Sequence, residues 1–584
     1  MTFRRNIEPF LSRNSHTILH NGPGSIIRNN TGVSMLVYGL SEWKRGYLKS
    51  RTAPLLDEVI DELVIHDTFL EQKLGIQKII APPKYDNNER SQFGWFIPAI
   101  RYPIAQYCTY SKCRKIDFDA DYGDPKEGRC TKCKSKRQPL RQIPLLFCCI
   151  EGHLEEPSWS IECHKGQDCA LSNLIFKPEP YLKNSTITCT NCGKSIRISE
   201  IPKKKCTGNR PWLQSGESES PECENLAEII EAPSSNSYFP WAEVSIVVPP
   251  KGELIPAVLS ALRTSRDIKT LRTSGWKNNK ENLESIQKML KMRTIDIDID
   301  LLIKHLEALD KPKSRPDDEK KQLESSAFVE ARSRGEAKYG LPDLIVEPFD
   351  PTSIRIPYKS FSIKAASSIT RLRAISVLTG FSRIKHAHPD RNIGLAQLWG
   401  TTRQSSSDGH TFPHSWLYGT EQFGEGIYLE FPQSAIPTES ELSAFGRNGL
   451  SDIDIQKTYV HTLSHLLLRV CAERSGFNLP SLRERLYLGQ DSPGILIYTT
   501  SPSIEGTSGG LASLGDGENL GKLLTAAIEL ATWCTSDPVC LEGNNFGKND
   551  EKERGSCHHC VVVPETSCEN GNEFLDRMVI IAKI

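Results

Sequence analysis

The 584-residue chain has no run of 18 apolar residues, the least a membrane-crossing helix needs, and this argues against a spanning helix. Its N-terminus, MTFRRNIEPF, lacks the apolar core of a secretory signal, so the expected compartment is the cytoplasm. Net charge is also missing: 72 Lys plus Arg balance 72 Asp plus Glu. No global field therefore advertises nucleic acid, and any surface for it must be local. A Walker A loop is absent too. In Gly515-Asp516-Gly517-Glu518-Asn519-Leu520-Gly521-Lys522-Leu523 the outer glycines are one residue too far apart, and Leu523 stands where Ser or Thr would hold Mg2+. ATP hydrolysis by this chain is not expected.

One further absence concerns His461 and His465, which are four apart and share a helix face. Zincins place a water-activating Glu beside the first such histidine, but here Thr462, Leu463 and Ser464 intervene. Two histidines packed between a helix and a sheet is the favoured reading. The competing one is a metal-dependent hydrolase or nuclease using the pair with Glu505 and the Gly509-Gly510 turn, which would need an open metal position.

What the chain does have is eighteen cysteines, which in a reducing compartment point to metal rather than disulfides. At the C-terminal end, Cys534, Cys540, Cys557 and Cys560 form two close pairs around a Gly-, Asn- and Lys-rich loop. Such pairs present four thiolates to one tetrahedral Zn2+, with Cys568, His558 and His559 near enough to substitute for one ligand. The binding energy of that ion would count directly toward folding. Cys108-x4-Cys113 followed by Cys130-x2-Cys133 has the two-knuckle spacing of a zinc ribbon. Cys189-x2-Cys192 with Cys206 and Cys223 reads as a further set, whose last two members are widely spaced. Cys148, Cys149, His153, Cys163, His164 and Cys169 form a looser set whose spacing permits another site without demanding one; buried thiols and a satisfied core histidine are the favoured reading. Arg129, Lys132, Lys134, Lys136 and Arg137 surround one knuckle, and Lys203, Lys204 and Lys205 precede Cys206. These cations are candidate phosphate contacts, or else solvated loops.

Length implies three or four domains. The expected division is a mainly β segment at 1–105, a Cys-rich zinc-ribbon-like region at 106–225, a strand with a helical, charged arm at 226–345, and a C-terminal α/β domain at 346–584. The fold class is α+β multidomain, with Cys-rich modules and a C-terminal four-Cys site. Strands are expected at 25–27, 34–40, 241–248, 424–431 and 494–500. Helices are expected within 251–309, over 367–378, over 457–473 and over 520–533. Gly22-Pro23-Gly24 reads as a structural turn rather than a phosphate cradle. Residues 311–337 read as an exposed hairpin, a linker or a partner-binding arm.

The motifs NGPGSI (21–26), RYPIAQYC (101–108), EGHLEE (151–156), CTGNRPWL (206–213), RLRAISVLTGFSRI (371–384), FGEGIYLEF (423–431), HTLSHLLLR (461–469) and GILIYTTSPSIEGTSGGLASLG (494–515), with the final cysteine block, run the whole length. Together they resemble the DrmB family, helicase-associated subunits of DISARM antiphage defence systems. The C-terminal part is similar to the domain that ends MrfA-type DNA-repair helicases. The segment WSIECH at 159–164 departs from the family in lacking a second aromatic before the His, which implies that Cys163 is a stray thiol. The resemblance implies a zinc-containing partner of a superfamily 2 helicase, DrmA, with the pair engaging DNA, and it supplies no catalytic residue. A structural scaffold joining helicase to methylase or other defence subunits, without DNA contact, is the remaining alternative.

Overall fold

The computed structural model describes residues 8–10, 21–46, 63–82, 97–117, 130–133, 140–213, 223–248, 279–310, 317–330, 344–385, 391–399, 416–489, 492–500, 510–542 and 555–584, less gaps of one to three positions, with single positions between 258 and 276. Contacts divide the chain into two units: residues 1–65, 75–243 and 376–420, and residues 66–74, 244–375 and 421–584.

The first unit is made mainly of small antiparallel sheets, as short apolar runs broken by Gly and Pro turns favour, with one parallel pairing between Lys78–Ile80 and Trp416–Tyr418. Ile97–Arg101 lies at the centre of one, between Glu8–Phe10 and Ser34–Val37, with Ile26–Arg28 on the outer side of the latter. Gln106–Cys108 pairs with both Ile116–Asp117 and Leu140–Gln142. Leu145–Cys148 pairs across a long sequence gap with Leu226–Glu231, Phe147 facing Ile229. Thr186–Cys189 lies between Leu174–Lys177 and Ser195–Arg197.

Arg383 is the polar centre of this unit. Its fully buried guanidinium donates to the carbonyls of Gly152 (3.0 Å), Gly24 (2.6 Å) and Ser237, and lies against Phe381, Trp212 and Tyr238. The Gly22-Pro23-Gly24 turn is structural: Gly24 N donates to Val37 O at 2.9 Å, and Gly22 O accepts from Ser25 N at 3.0 Å. Gly24 has φ +81°, and a Cβ there would lie 2.6 Å from Phe381 Cζ. Gly24→Ala thus combines a left-handed backbone with a collision. It is expected to cost about 1–3 kcal/mol, read as a lower urea midpoint.

In the second unit, β1 (Ala365–Ser382, of which 365–375 belong here) pairs with Leu344–Phe349, and β2 (Trp416–Glu430) pairs from Glu425 onward with β4 (Gly494–Thr499). β4 in turn pairs with β3 (Leu482–Tyr487). The helix expected at 367–378 is therefore a strand. Its β-branched Ile369, Thr370, Ile375 and Val377 favour the pleated surface, and apolar spacing alone could not separate a buried strand from a helix.

The charged segment also departs from expectation, because α1 (Asp317–Glu330) is no exposed arm. Phe328 and Glu324 are fully buried, Arg485 donates to Glu324 at 2.5 and 3.1 Å, and Lys320 Nζ reaches Ile246 O at 2.8 Å. It packs through ion pairs and one aromatic, which leaves no apolar stripe in the sequence. Lys280–Met292 and Ile299–Asp310 are helical as expected and bury Ile286, Leu290, Leu302 and Leu306 together.

The longest helix, α2 (Asp452–Ser475), starts at Ser451, whose side chain accepts from Asp454 N, and stops at Gly476 with φ 77°. It is buried on nearly every side between Ile455 and Cys471. The near-miss Walker glycines open α3 (Gly517–Thr532), N-capped by Asp516. A Cβ on Gly521 would lie 2.6 Å from Arg355 O, so this glycine permits close backbone packing. Among the described residues, no helix is long and apolar enough to cross a membrane.

Candidate metal centres

None of the eighteen cysteines is in a disulfide. Neighbouring sulfurs instead lie at the spacing of ligands around one ion. A tetrahedron with metal–sulfur bonds of about 2.3 Å has an edge of about 3.8 Å. Cys534 and Cys557 are 3.5 Å apart, Cys557 and Cys560 3.6 Å, and Cys540 and Cys560 3.7 Å. A disulfide would need about 2.05 Å.

The C-terminal four-cysteine site is assembled just after α3. Cys534 and Cys540 flank a turn whose Asp537 accepts from Cys534 N at 2.9 Å. The Cys557–Cys560 knuckle returns beneath them, and all four are buried. Arg577, also buried, donates to Asp537 at 2.6 Å and to Ala531 O at 2.9 Å. Burial alone would lower its pKa, but Asp537 and the nearby Cys560 and Cys540 outweigh that and raise it. A cation here opposes the net negative charge of four thiolates on one divalent ion. Burial would raise the Cys557 thiol, yet the His559 amide and the neighbouring cysteines pull it down to about 6. His559 bonds Ser536 at 3.2 Å on the exposed side, and Cys568 lies elsewhere, so neither replaces a cysteine ligand.

The first unit holds three more groups, each with its donor atoms within 4.8 Å of one another. Cys108, Cys113, Cys130 and Cys133 come together as the ribbon spacing predicts, with Cys108–Cys133 at 3.5 Å and Cys113–Cys130 at 3.6 Å. The set Cys189, Cys192, Cys206 and Cys223 is divided. Cys189 and Cys192 join His164 and Cys169, whereas Cys206 and Cys223 join Cys149 and His153. Strand pairing is the cause. Leu145–Cys148 lies against Leu226–Glu231, and Leu226–Glu231 against Lys204–Lys205, which brings Cys149, Cys206 and Cys223 to one end of the same sheet.

Two residues read as core histidines are thus placed among thiols. His164 Nδ1 donates to Ser160 O at 2.7 Å, leaving Nε2 3.2 Å from Cys192. His153 is held neutral, its pKa lowered to about 4 by burial and by Arg210 and Arg383, with Nδ1 3.4 Å from Cys149. A neutral imidazole is the form a metal takes. Cys148 and Cys163 stay outside every group and donate to backbone carbonyls, as a stray thiol at 163 would.

A fifth group joins His461 and His465 of α2 to Glu484 of β3 and to Cys568. The two imidazoles lie edge to face with centroids 4.4 Å apart, and Glu484 Oε1 is 3.1 Å from His461 Nε2 and 3.4 Å from His465 Nε2. Sequence reading missed Glu484, for which no motif signals. Glu505 and Gly509 lie outside the described residues.

Of the candidate phosphate contacts, Lys132 is exposed between Cys130 and Cys133, while Arg129, Lys134, Lys136 and Arg137 lie outside the described residues. Lys203 pairs with Glu228, and Lys204 pairs with Glu155 at 2.7 Å while covering Phe147; Lys205 is exposed.

Four buried thiolates at tetrahedral spacing beside a compensating arginine define a cysteine-ligated zinc protein. Residues 463–561, which include all four of those cysteines, match the MrfA Zn-binding domain, and zinc is the ion. Residues 13–239 match a domain of unknown function, DUF8724. Over most of its length the chain is similar to the DISARM protein DrmB of Bacillus paralicheniformis, 27% identical over 536 residues, covering 84% of this chain and 89% of that protein. The resemblance read from the motifs is borne out in both parts.

Proposed function

We propose that this chain is a non-catalytic, zinc-binding subunit of an antiphage defence complex, partnering a superfamily 2 helicase such as DrmA and helping it to engage DNA. The observation that carries the reading is the similarity to a DISARM protein along 84% of the chain, coupled to a C-terminal site of closed, four-thiolate type. A closed site has no position for a reacting water and acts as a structural pin. The three groups of the first unit are zinc pins of the same kind, stiffening hairpins too short to hold themselves. ATP hydrolysis belongs to the partner. The isolated chain should hydrolyse no ATP above background, and hydrolysis that survives repurification would contradict the assignment.

DNA contact falls mainly to the cations of the first ribbon, with exposed Lys205 the remaining candidate of the second set, because Lys203 and Lys204 are already engaged with carboxylates. Knuckle cations touching phosphates position the duplex without reading its sequence. Reversing Lys132, Lys134, Lys136 and Arg137 to Glu in the chain–helicase complex should weaken binding to any DNA sequence at least tenfold. The slope of log K against log salt should become shallower by about 3–4, the value for four lost phosphate contacts. Unchanged affinity and slope would remove DNA contact from this surface and favour a scaffold.

A further inference from the structure

We propose that His461, His465, Glu484 and Cys568 form a second, closed metal site in the C-terminal part, suited to Zn2+ or a similar borderline divalent ion. The four donor atoms come from α2, β3 and the loop after Val563, and all lie within 4.8 Å of one another. His461, His465 and Glu484 are buried, and Cys568 is half-buried.

The hydrogen bonds around the donors fix their chemical form. His465 Nδ1 lies 2.9 Å from the carbonyl of Val561, which can only accept, so the proton of a neutral ring sits on Nδ1. Nε2 then directs a lone pair inward. It is 3.4 Å from Glu484 Oε1 and, among the described residues, has no hydrogen-bond partner. A lone pair facing a carboxylate oxygen in a buried space is repulsive unless a cation lies between them. An outer N–H donated to a backbone carbonyl is also the usual support of a ligating histidine. Glu484 is supported in the same manner: Ser464 Oγ bonds one oxygen, and Glu569 N donates to the other at 3.0 Å.

The sulfur gives an independent sign. Cys568 Sγ accepts from Asn570 N at 3.3 Å and from Asn572 N at 3.1 Å. Amides two residues on donate likewise to Cys534 (3.4 Å) and Cys206 (3.3 Å), both members of thiol clusters. Cys148 and Cys163, which belong to no cluster, act as donors to carbonyls instead. Cys568 is thus arranged as a thiolate acceptor, like a ligand and unlike a core thiol. One carboxylate and one thiolate balance a divalent ion, so the filled site needs no counterion, whereas the four-thiolate site has Arg577.

With four protein donors the site is closed, which assigns it a structural role and leaves no place for a hydrolytic water. The ion would join α2, β3 and the C-terminal loop. Through Val561, next to Cys560, it would also brace the knuckle of the four-cysteine site.

The test is the 113Cd spectrum and metal count of the full chain loaded with cadmium. A resonance well upfield of the three- and four-sulfur signals is expected, as two nitrogens, one oxygen and one sulfur require. Glu484→Gln and, separately, Cys568→Ala should remove that resonance and one metal equivalent while leaving the sulfur-rich signals in place. If either variant fails to fold, the wild-type spectrum decides alone. A folded wild-type chain showing only sulfur-rich resonances, or a folded variant with an unchanged metal count, would overturn the site and identify the cluster as a proton-bonded network. The sulfur-rich signals report separately on the other centres, so failure there is distinguishable.

Discussion

Cys557→Ser should release one zinc per chain and unfold the C-terminal region, because Cys557 lies 3.5 Å from Cys534 and 3.6 Å from Cys560 at the heart of the four-thiolate site. Structural zinc contributes roughly 10–16 kcal/mol near neutral pH, as much as the whole stability of an ordinary domain. Among the described residues 534–542 and 555–564, only the single helical turn Val539–Glu542 is regular, and Val561 and Val563 are buried in the core beside the knuckle. Arg577 would also lose the thiolate charge it faces and become a buried cation held by its ion pair with Asp537. The readouts are zinc released to a colorimetric chelator and new proteolytic cleavage after α3. Lowering the pH should have the same direction of effect, since protons compete with zinc for the thiolates. Cys540 and Cys560 have thiols raised by burial and by their neighbours, Cys560 to about 11, so protons hold these sulfurs strongly once the ion leaves. A Cys557→Ser chain with an unaltered melting profile would show that the ion stabilises nothing.

The second large effect is expected at Arg383, far from any catalytic expectation. Arg383→Met keeps most of the volume and removes every donor. The carbonyls of Gly24, Gly152 and Ser237 would then be buried without these partners. At roughly 1–3 kcal/mol for each stranded acceptor, the loss should be at least ~3 kcal/mol, seen as a marked fall in urea midpoint. Gly152 opens the turn that carries His153, with Gly152 N bonded to Cys149 O at 2.9 Å, so one zinc equivalent should be lost as well. Lys203→Ala makes the control: its partner is Glu228 on an exposed surface, and such pairs are worth about 0–1 kcal/mol. Equal effects from the two changes would contradict the role given to Arg383.

How far the sequence could be read depended on how local each feature is. The Cys108–Cys133 and Cys534–Cys560 groups were legible because a knuckle is a spacing of two to five residues, set by one turn. The exchange of Cys206 and Cys223 toward Cys149 and His153 was not, since it follows from Leu145–Cys148 pairing with Leu226–Glu231 across some eighty residues, and no spacing records that register. α2 was legible from its helical period, and its caps extended it to Asp452–Ser475. β1 was misread as a helix because both its faces are buried, which erases the alternation that marks a strand. α1 concealed its burial because Glu324 and Lys320 do the packing that Leu would ordinarily do. Glu484 looked like one more charge in Leu-Arg-Glu-Arg-Leu-Tyr until β3 was placed beside α2.

Elemental analysis of the purified full chain tests most directly whether metal is held by the cysteine clusters. The expected result is at least four zinc equivalents per chain, one for each sulfur-rich group, and a fifth if the His461–His465–Glu484–Cys568 site is filled. Folded, DNA-engaging protein with no stoichiometric zinc would contradict it.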